Sequence, residues 1–214
     1  GRGLVRPGGV LFDVDDAMAD ELHRRLDETM KDLRGAVELL FGAATVTARF
    51  EGTGRVDPAT AESIGLVGPA ARACGVDQDV RRDHPTGIWR FAHVPVMTAH
   101  DGDVNSRAFV RWLEAQRSAD FVKAQLASLP KGGVRNAPKE LRPEHVAVSL
   151  VEGWRGEVCH VAVTGEDARL RRYKVVDPSF HNWMGLAMAL RNEEISDFPL
   201  CNKSFNLSYC GHDL

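Results

Sequence analysis

VEGWRGEVCHVAVTGEDARLRRYKVVDPSFHNWMGLAMAL, residues 151–190, decides the fold class. VAVSLVEG (146–153), EVCHVAVTG (157–165) and RRYKVVDP (171–178) are valine-rich runs bounded by Gly, Asp and Pro. Such runs predict an antiparallel sheet of about three strands. FHNWMGLAMALRN (180–192) then reads as a helix. The tail, residues 197–214, reads as irregular.

The chain upstream of the sheet has helical period. Arg6-Pro7-Gly8-Gly9 predicts a turn, because Pro fixes φ and Gly permits positive φ. Asp13, Asp15 and Asp16 then place carboxylates at a helix N-terminus, where the dipole favours them. Met18, Leu22, Leu26, Met30 and Leu33 recur at three or four residues and predict an amphipathic helix that Gly35 breaks. A second helix follows over about residues 36–50, with Val37, Leu40, Phe41 and Ala44 on one face. Asp57, Pro58 and Gly65 punctuate a short helix at both ends. Residues 65–87 read as a structured loop around a brief helical turn. Asp103 or Asn105 caps a helix running to about Leu129, with Phe109, Val110, Trp112, Leu113, Phe121, Val122 and Leu126 on its buried side. Breakers make residues 130–145 a loop. The expected fold is α+β, predominantly helical, with a small antiparallel sheet. One domain spans 1–214, helical over about 11–130, with sheet, helix and tail over about 145–214.

Composition narrows the function. The 214 residues are 43% hydrophobic, enough for a core. The formal charge of -3 argues against nucleic acid as a partner. Arg169, Arg171 and Arg172 read as a solvated face. No apolar run has the length needed to span a bilayer. The start lacks the order of a secretory leader. Cys74, Cys159, Cys201 and Cys210 form no CxxC pair and are too few for a disulfide scaffold, so they read as reduced, mostly buried cytoplasmic thiols. Cys201, Cys210 and His212 lack the short cysteine step of a zinc site. His160 and His181 read as satisfied structural histidines. No GxGxxG opens a helix, so any NADH is oxidised on another subunit. No Ser/His/Asp spacing suggests hydrolysis. Gly1 and the stretch GRGLVRPGGV (1–10) read as the middle of a longer chain.

Six stretches in order carry a family resemblance: RPGGV (6–10), EGTGRV (51–56), VGPAARACGVDQDVRRDHP (67–85), GDVNSRAFVRWLE (102–114), VEGWRGEVCHVAV (151–163) and VVDPSFHNWMGLAMAL (175–190). Together they resemble the large subunit of membrane-bound nickel–iron hydrogenases of the formate-hydrogenlyase type. They equally resemble the D subunit of respiratory complex I, the NADH:quinone oxidoreductase. The resemblance covers nearly the whole chain.

That family implies a fold, a chemistry and a site. In the hydrogenases two CxxC pairs, one near each end, supply the thiolates that soft metals need. The upstream pair precedes the RPGGV turn. Aligning Asp213 with the family's C-terminal Asp puts Ser208 and Gly211 where the downstream cysteines belong, with Cys210 between them. The resemblance therefore implies vacated ligand positions at Ser208 and Gly211 and no metal. The complex I relative also lacks the pair. Leu214 falls about where the hydrogenases lose a C-terminal extension, as a chain already cleaved would also end; it is the missing ligands that imply a chain that does not mature around nickel.

VEGWRGE (151–157) resembles the family's EAPRGE turn and puts Arg155 at its basic position, with Trp154 in place of the Pro. Arg155 is either a cation facing the old metal cavity or a quinone headgroup, or a strand-turn arginine paired with Glu152 or Glu157. DQDVRRDHP (77–85) carries Asp79, Arg81, Arg82, Asp83 and His84. These are either a proton or coupling relay or a structural ion-pair network. The candidate catalytic set is Arg155, Asp79, Arg82 and Asp83. The implied role is an oxidoreductase component that passes electrons from an iron–sulfur partner to quinone. Its implied partners are an iron–sulfur small subunit, a chain or domain like the C subunit of complex I, and membrane subunits, on the inner face of the cell membrane. The chain binds no cofactor itself and self-associates when isolated. The alternatives are a true hydrogenase with atypical ligands and a non-catalytic scaffold.

Overall fold

The structure is a computed structural model that describes residues 5, 6 and 8–213. Strands β1 (Val5–Arg6) and β2 (Gly9–Val10) pair antiparallel. Pro7 of the expected turn, like Gly1 and Leu214, lies outside the described residues. Gly8 and Gly9 have φ of +91° and +149° and pack against the backbone of residues 134–136, where a Cβ at Gly8 would sit 2.0 Å from the Asn136 carbonyl oxygen.

Helix α1 (Asp16–Gly42) starts at Asp15, whose carboxylate accepts from the Met18 N–H, so the acidic signal marks the true start. The helix runs straight through Gly35, which corrects the expected break. A glycine inside a helix costs only about 1 kcal/mol, and good helix formers on both sides outweigh it. The break falls instead at Ala43, which is extended, before α2 (Ala44–Phe50). Asp57 caps α3 (Pro58–Ser63) through the Thr60 N–H, and Gly65 follows at φ +67°, as the sequence signals predict.

The first half of the expected loop at 65–87 is core: Leu66, Ala70, Ala71, Cys74 and Val76 are buried, while residues 82–87 are exposed. Helix α4 (Gly68–Arg72) is buried at every residue, and α5 (Val80–Asp83) follows. Small residues let the segment pass between thicker elements, and that absence of bulk gives it the look of a loop. A 3-10 turn spans Gly87–Arg90. Helix α6 (Val104–Leu126) is capped by Asp103, which accepts from the Ser106 N–H at 2.7 Å and the Gly52 N–H at 2.8 Å. It lies antiparallel to α1, because Lys123 pairs with Asp27 while Phe109 meets Phe41 edge-on at 6.2 Å. Of its expected buried side only Val110 is fully buried; Phe109 is 43% and Val122 45% exposed. No residue of α1 is buried, so that hairpin of helices is covered on one side only.

Strands β3 (Val146–Gly153), β4 (Gly156–Thr164) and β5 (Leu170–Val176) form an antiparallel sheet in that order. Asp177 then caps α7 (Pro178–Ala189). The expected irregular tail is ordered: a 3-10 turn (Ile195–Asp197), α8 (Phe198–Phe205) and α9 (Tyr209–His212). These helices are too short to show a period, but Asn206 ends α8 in the left-handed region and Ser208 caps α9. The core gathers Val56, Leu66, Ala70, Val104, Leu186 and Phe205 among others, from α3, α4, α6, α7 and α8. The predominantly helical α+β class is as the sequence predicts.

Gly68 joins α4 to the β3–β4 turn. It has φ +65°, and a Cβ there would lie 2.3 Å from the Gly156 Cα. Neither backbone can yield easily. Gly68→Ala is expected to lower stability by about 2 kcal/mol, within the usual range for overpacking, measured as a fall in urea midpoint. An unchanged midpoint would mean that the two segments separate freely.

Candidate functional site

The β3–β4 turn meets the C-terminal tail. Asn182 of α7, 1% exposed, takes the Val67 N–H on its Oδ1 at 3.0 Å. Its Nδ2 donates to the Val67 and Arg155 carbonyls, each at 3.1 Å. That fixes the Arg155 backbone. The Arg155 Nε donates to the Asn206 carbonyl at the end of α8. Arg111 Nη2 donates to the neighbouring Phe205 carbonyl at 3.1 Å. Two guanidinium groups therefore sit at the negative end of one helix, where the dipole and the free carbonyls favour cations. Arg155 does not pair with Glu152 or Glu157, and its other guanidinium nitrogens have no hydrogen-bond partner among the described residues. Burial pulls the Arg111 pKa down to about 10, with Arg155 and Arg72 adding repulsion against the attraction of Glu114.

The tail positions expected to be vacated, Ser208 and Gly211, pack against the start of α7. The Ser208 N–H donates to Ser179 Oγ at 2.9 Å, and Ser208 Oγ accepts from the Gly211 N–H at 3.0 Å. Gly211 is buried against the cap of α7, where a Cβ would lie 2.6 Å from the Asp177 carboxyl carbon. Nickel does not fit this tail. Gly211 offers no thiolate, and a cysteine there would collide with Asp177. Cys201 is buried in the core and Cys210 is exposed beside Ser208, so they do not gather with His212 into a zinc site. Cys74 is buried and Cys159 half-buried, so two of the four thiols, not most, are fully buried. His160 is satisfied by the Tyr173 hydroxyl at 2.6 Å.

Asp79, Arg82 and Asp83 fall into two environments. Asp79, 3% exposed, accepts a two-pronged bond from Arg81, at 2.9 and 2.6 Å. Its own N–H donates to Asp83 Oδ2 at 2.9 Å. Arg82 points outward and pairs with Asp77 at 2.6 Å and Asp83 at 2.7 Å. The group that organises the interior is Arg72, 1% exposed, which is absent from the set expected from the sequence. Its Nε donates to Glu114 at 2.7 Å and its Nη1 to Glu152 at 3.0 Å, with Asp79 at 3.5 Å. One guanidinium thus ties α4 to α6, β3 and the cap of α5. Burial opposes its charge, but Glu114, Glu152 and Asp79 hold its pKa above the ordinary arginine value. Burial also works against the Asp79 charge, yet Arg81 and Arg72 hold that carboxyl below the usual range. A lone charged residue inside PAARACG is the signal that points to Arg72: a helix of small apolar residues has no exposed face to give it.

Arg107 is a second buried cation with neutral partners. It donates to Ser204 Oγ, the Gly102 carbonyl and the Gly54 carbonyl at 2.8–2.9 Å. Its guanidinium lies 4.3 Å from the Phe205 ring centroid. Burial brings its pKa down to about 10. It joins the start of α6 to α8 and so holds the tail in place.

A chain of a membrane-bound respiratory complex has this fold. A chain of the membrane-bound sulfane sulfur reductase, an archaeal respiratory membrane complex, superposes with TM-score 0.88 over 99% of this chain and 59% of its own, at 23% identity. The profile of the respiratory-chain NADH dehydrogenase 49 kDa subunit matches residues 2–147, and the chain belongs to that family. The carbon monoxide-induced hydrogenase of Rhodospirillum rubrum is 32% identical over 200 residues, 93% of this chain and 55% of that protein. Formate hydrogenlyase subunit 5 of Escherichia coli (strain K12) is 30% identical over 210 residues, 97% of this chain and 36% of that protein. The NADH-quinone oxidoreductase D subunit of Clostridium beijerinckii is 29% identical over 180 residues, 83% of this chain and 49% of that protein. The chain spans between 36% and 55% of the length of these relatives.

Proposed function

We propose that the chain is an oxidoreductase component of a complex I-like or hydrogenase-type membrane redox complex. In this reading an iron–sulfur partner supplies electrons and a quinone receives them at the Arg155 turn, in the place that a metal site occupies in the hydrogenases. The chain holds no cofactor of its own. Reduction consumes two electrons and two protons per quinone and leaves negative charge on its oxygens until the protons arrive. A fixed cation stabilises that charge most where water is excluded. The observation that carries the reading is Arg155 itself. It is anchored through Nε alone, at the end of α8, and its remaining nitrogens have no hydrogen-bond partner among the described residues. The expected neighbours are an iron–sulfur small subunit, a chain or domain like the C subunit of complex I, and membrane subunits. The expected position is peripheral, on the inner membrane face; no helix among the described residues is long and apolar enough to cross a membrane.

Trp154, 62% exposed and next to Arg155, provides the probe. A quinone analogue titrated into the assembled complex is expected to quench the Trp154 fluorescence saturably, and Trp154→Phe is expected to remove that signal. Saturable turnover with no Trp154 response would place the quinone elsewhere. No binding at all would leave the scaffold reading.

A further inference from the structure

The β3–β4 register sets Glu152 directly opposite Glu157. Opposed residues of an antiparallel pair project from the same face, and like charges so placed repel. Both glutamates open into one pocket of about 390 Å³, which also reaches Gly68, Asp79, Asp83 and His84. The Glu152 side chain is only 6% exposed. Its ionic surroundings come from every element around it. Helix α4 brings Arg72, the α5 segment brings Asp79, Arg81, Asp83 and His84, α6 brings Glu114, and β4 brings Glu157. Within this group Arg72 is shared among Asp79, Glu114 and Glu152, Arg81 pairs with Asp79, and Arg111 of α6 also acts on Glu114. Arg81 is committed to Asp79, and Arg72 is divided between Glu114 and Glu152. An uncompensated charge in such a buried place is expensive.

We propose that Glu152 and Glu157 form a proton-holding pair in which one dissociable proton, resident on Glu152, relieves the repulsion between the two opposed carboxylates and is exchangeable with the pocket. Burial, reinforced by Asp79, raises the Glu152 pKa against the pull of Arg72. Two carboxylates that share a site behave this way, one of them keeping its proton. The pocket reaches Gly68, whose Cβ position lies 2.5 Å from the Arg155 carbonyl oxygen, so the pair stands next to the turn that carries Arg155. Resting on the quinone reading above, its task is to supply a proton to that reduction. The iron–sulfur partner gives the electrons, the Glu152 O–H bond breaks, and its proton ends on a quinone oxygen. Solvent reprotonates Glu152 through the pocket mouth beside Asp83 and His84.

The test has two arms. In the first, the chain is labelled with carbon-13 at the glutamate carboxyls and titrated by NMR, with Glu152→Gln and Glu157→Gln assigning the resonances. Glu152 is expected to titrate above the ordinary glutamate range, and Glu157→Gln is expected to move it down. A Glu152 that titrates as an ordinary glutamate, or one that Glu157→Gln leaves unmoved, overturns the pair. In the second arm, Glu152→Gln in the assembled complex is expected to slow quinone-linked turnover roughly 10²-fold, the scale of a lost general acid. Reduction of the partner's iron–sulfur cluster, followed by electron paramagnetic resonance, should be unchanged. Turnover at the parent rate overturns the proton-supplying task. If the NMR result is as expected and no variant, nor the parent, turns over quinone, the pair stands and the quinone reading falls.

Discussion

Arg72→Met is expected to leave the chain unfolded or barely folded. Arg72 is 1% exposed and bonds Glu114 and Glu152 directly, with Asp79 a little farther off. A methionine fills much of the space but leaves these carboxylates facing one another without the guanidinium that they share. Breaking a buried ion pair from one side costs about 3–5 kcal/mol, because the remaining charge stays buried. A domain of this size has only about 5–15 kcal/mol in total. With a urea slope of about 2 kcal/mol per molar, the midpoint should fall by about 2 M. Arg72→Lys should fall between parent and Met, since an ammonium keeps the charge but cannot reach several carboxylates with a planar fork. A Met variant within about 0.5 kcal/mol of the parent, the range of ordinary surface changes, would show that these carboxylates find protons or water instead.

Arg155→Met is expected to lower quinone-linked turnover in the assembled complex by about 10²-fold or more, the scale of losing one preorganised charge-stabilising group. The electrostatic role needs charge more than shape, so Arg155→Lys should retain much of the turnover. Arg155 also has a structural bond, from Nε to the Asn206 carbonyl. Its loss should cost about 1 kcal/mol, and stability must be followed in parallel. The two roles separate in the Lys variant. A structural arginine replaced by Lys loses the fork that reaches the end of α8, so folding suffers while any turnover follows folding. An electrostatic one keeps turnover. An Arg155→Met complex that assembles normally and turns over at the parent rate would remove the electrostatic role and leave Arg155 as a cap on α8.

Part of the site is legible in the sequence. Asp15, Asp57 and Asp103 mark true helix starts because a cap is a local device: a carboxylate accepts from an N–H a few residues ahead. The strand runs and their turns are equally readable, because side-chain alternation and breakers act over a few residues. The family motifs place Arg155 at a turn and point to Ser208 and Gly211. Arg72 escapes that reading because its partners lie on other elements. Asp79, Arg82 and Asp83 look like one group along the chain, although only Asp79 belongs to the buried interior.

The sequence by itself therefore determined the α+β class, the aspartate caps of α1, α3 and α6 and the three strands of the sheet, since each rests on neighbours along the chain. Tertiary structure alone decided the rest. The passage of α1 through Gly35 is the exception, a matter of local propensity, because the cost of one glycine is small against the good helix formers on either side. Tertiary structure turned the small-residue segment of α4 into core, because only a thin helix fits between Gly156 and Leu186. It ordered the tail as α8 and α9 by burying Cys201 and Phe205 and by joining Arg107, Arg111 and Arg155 to that end of the chain. Those three arginines and Arg72 lie far in sequence from the groups they hold. Charges meet through space, and the pairing of Arg72 with Glu152, eighty positions away, is fixed only when the sheet docks on α4.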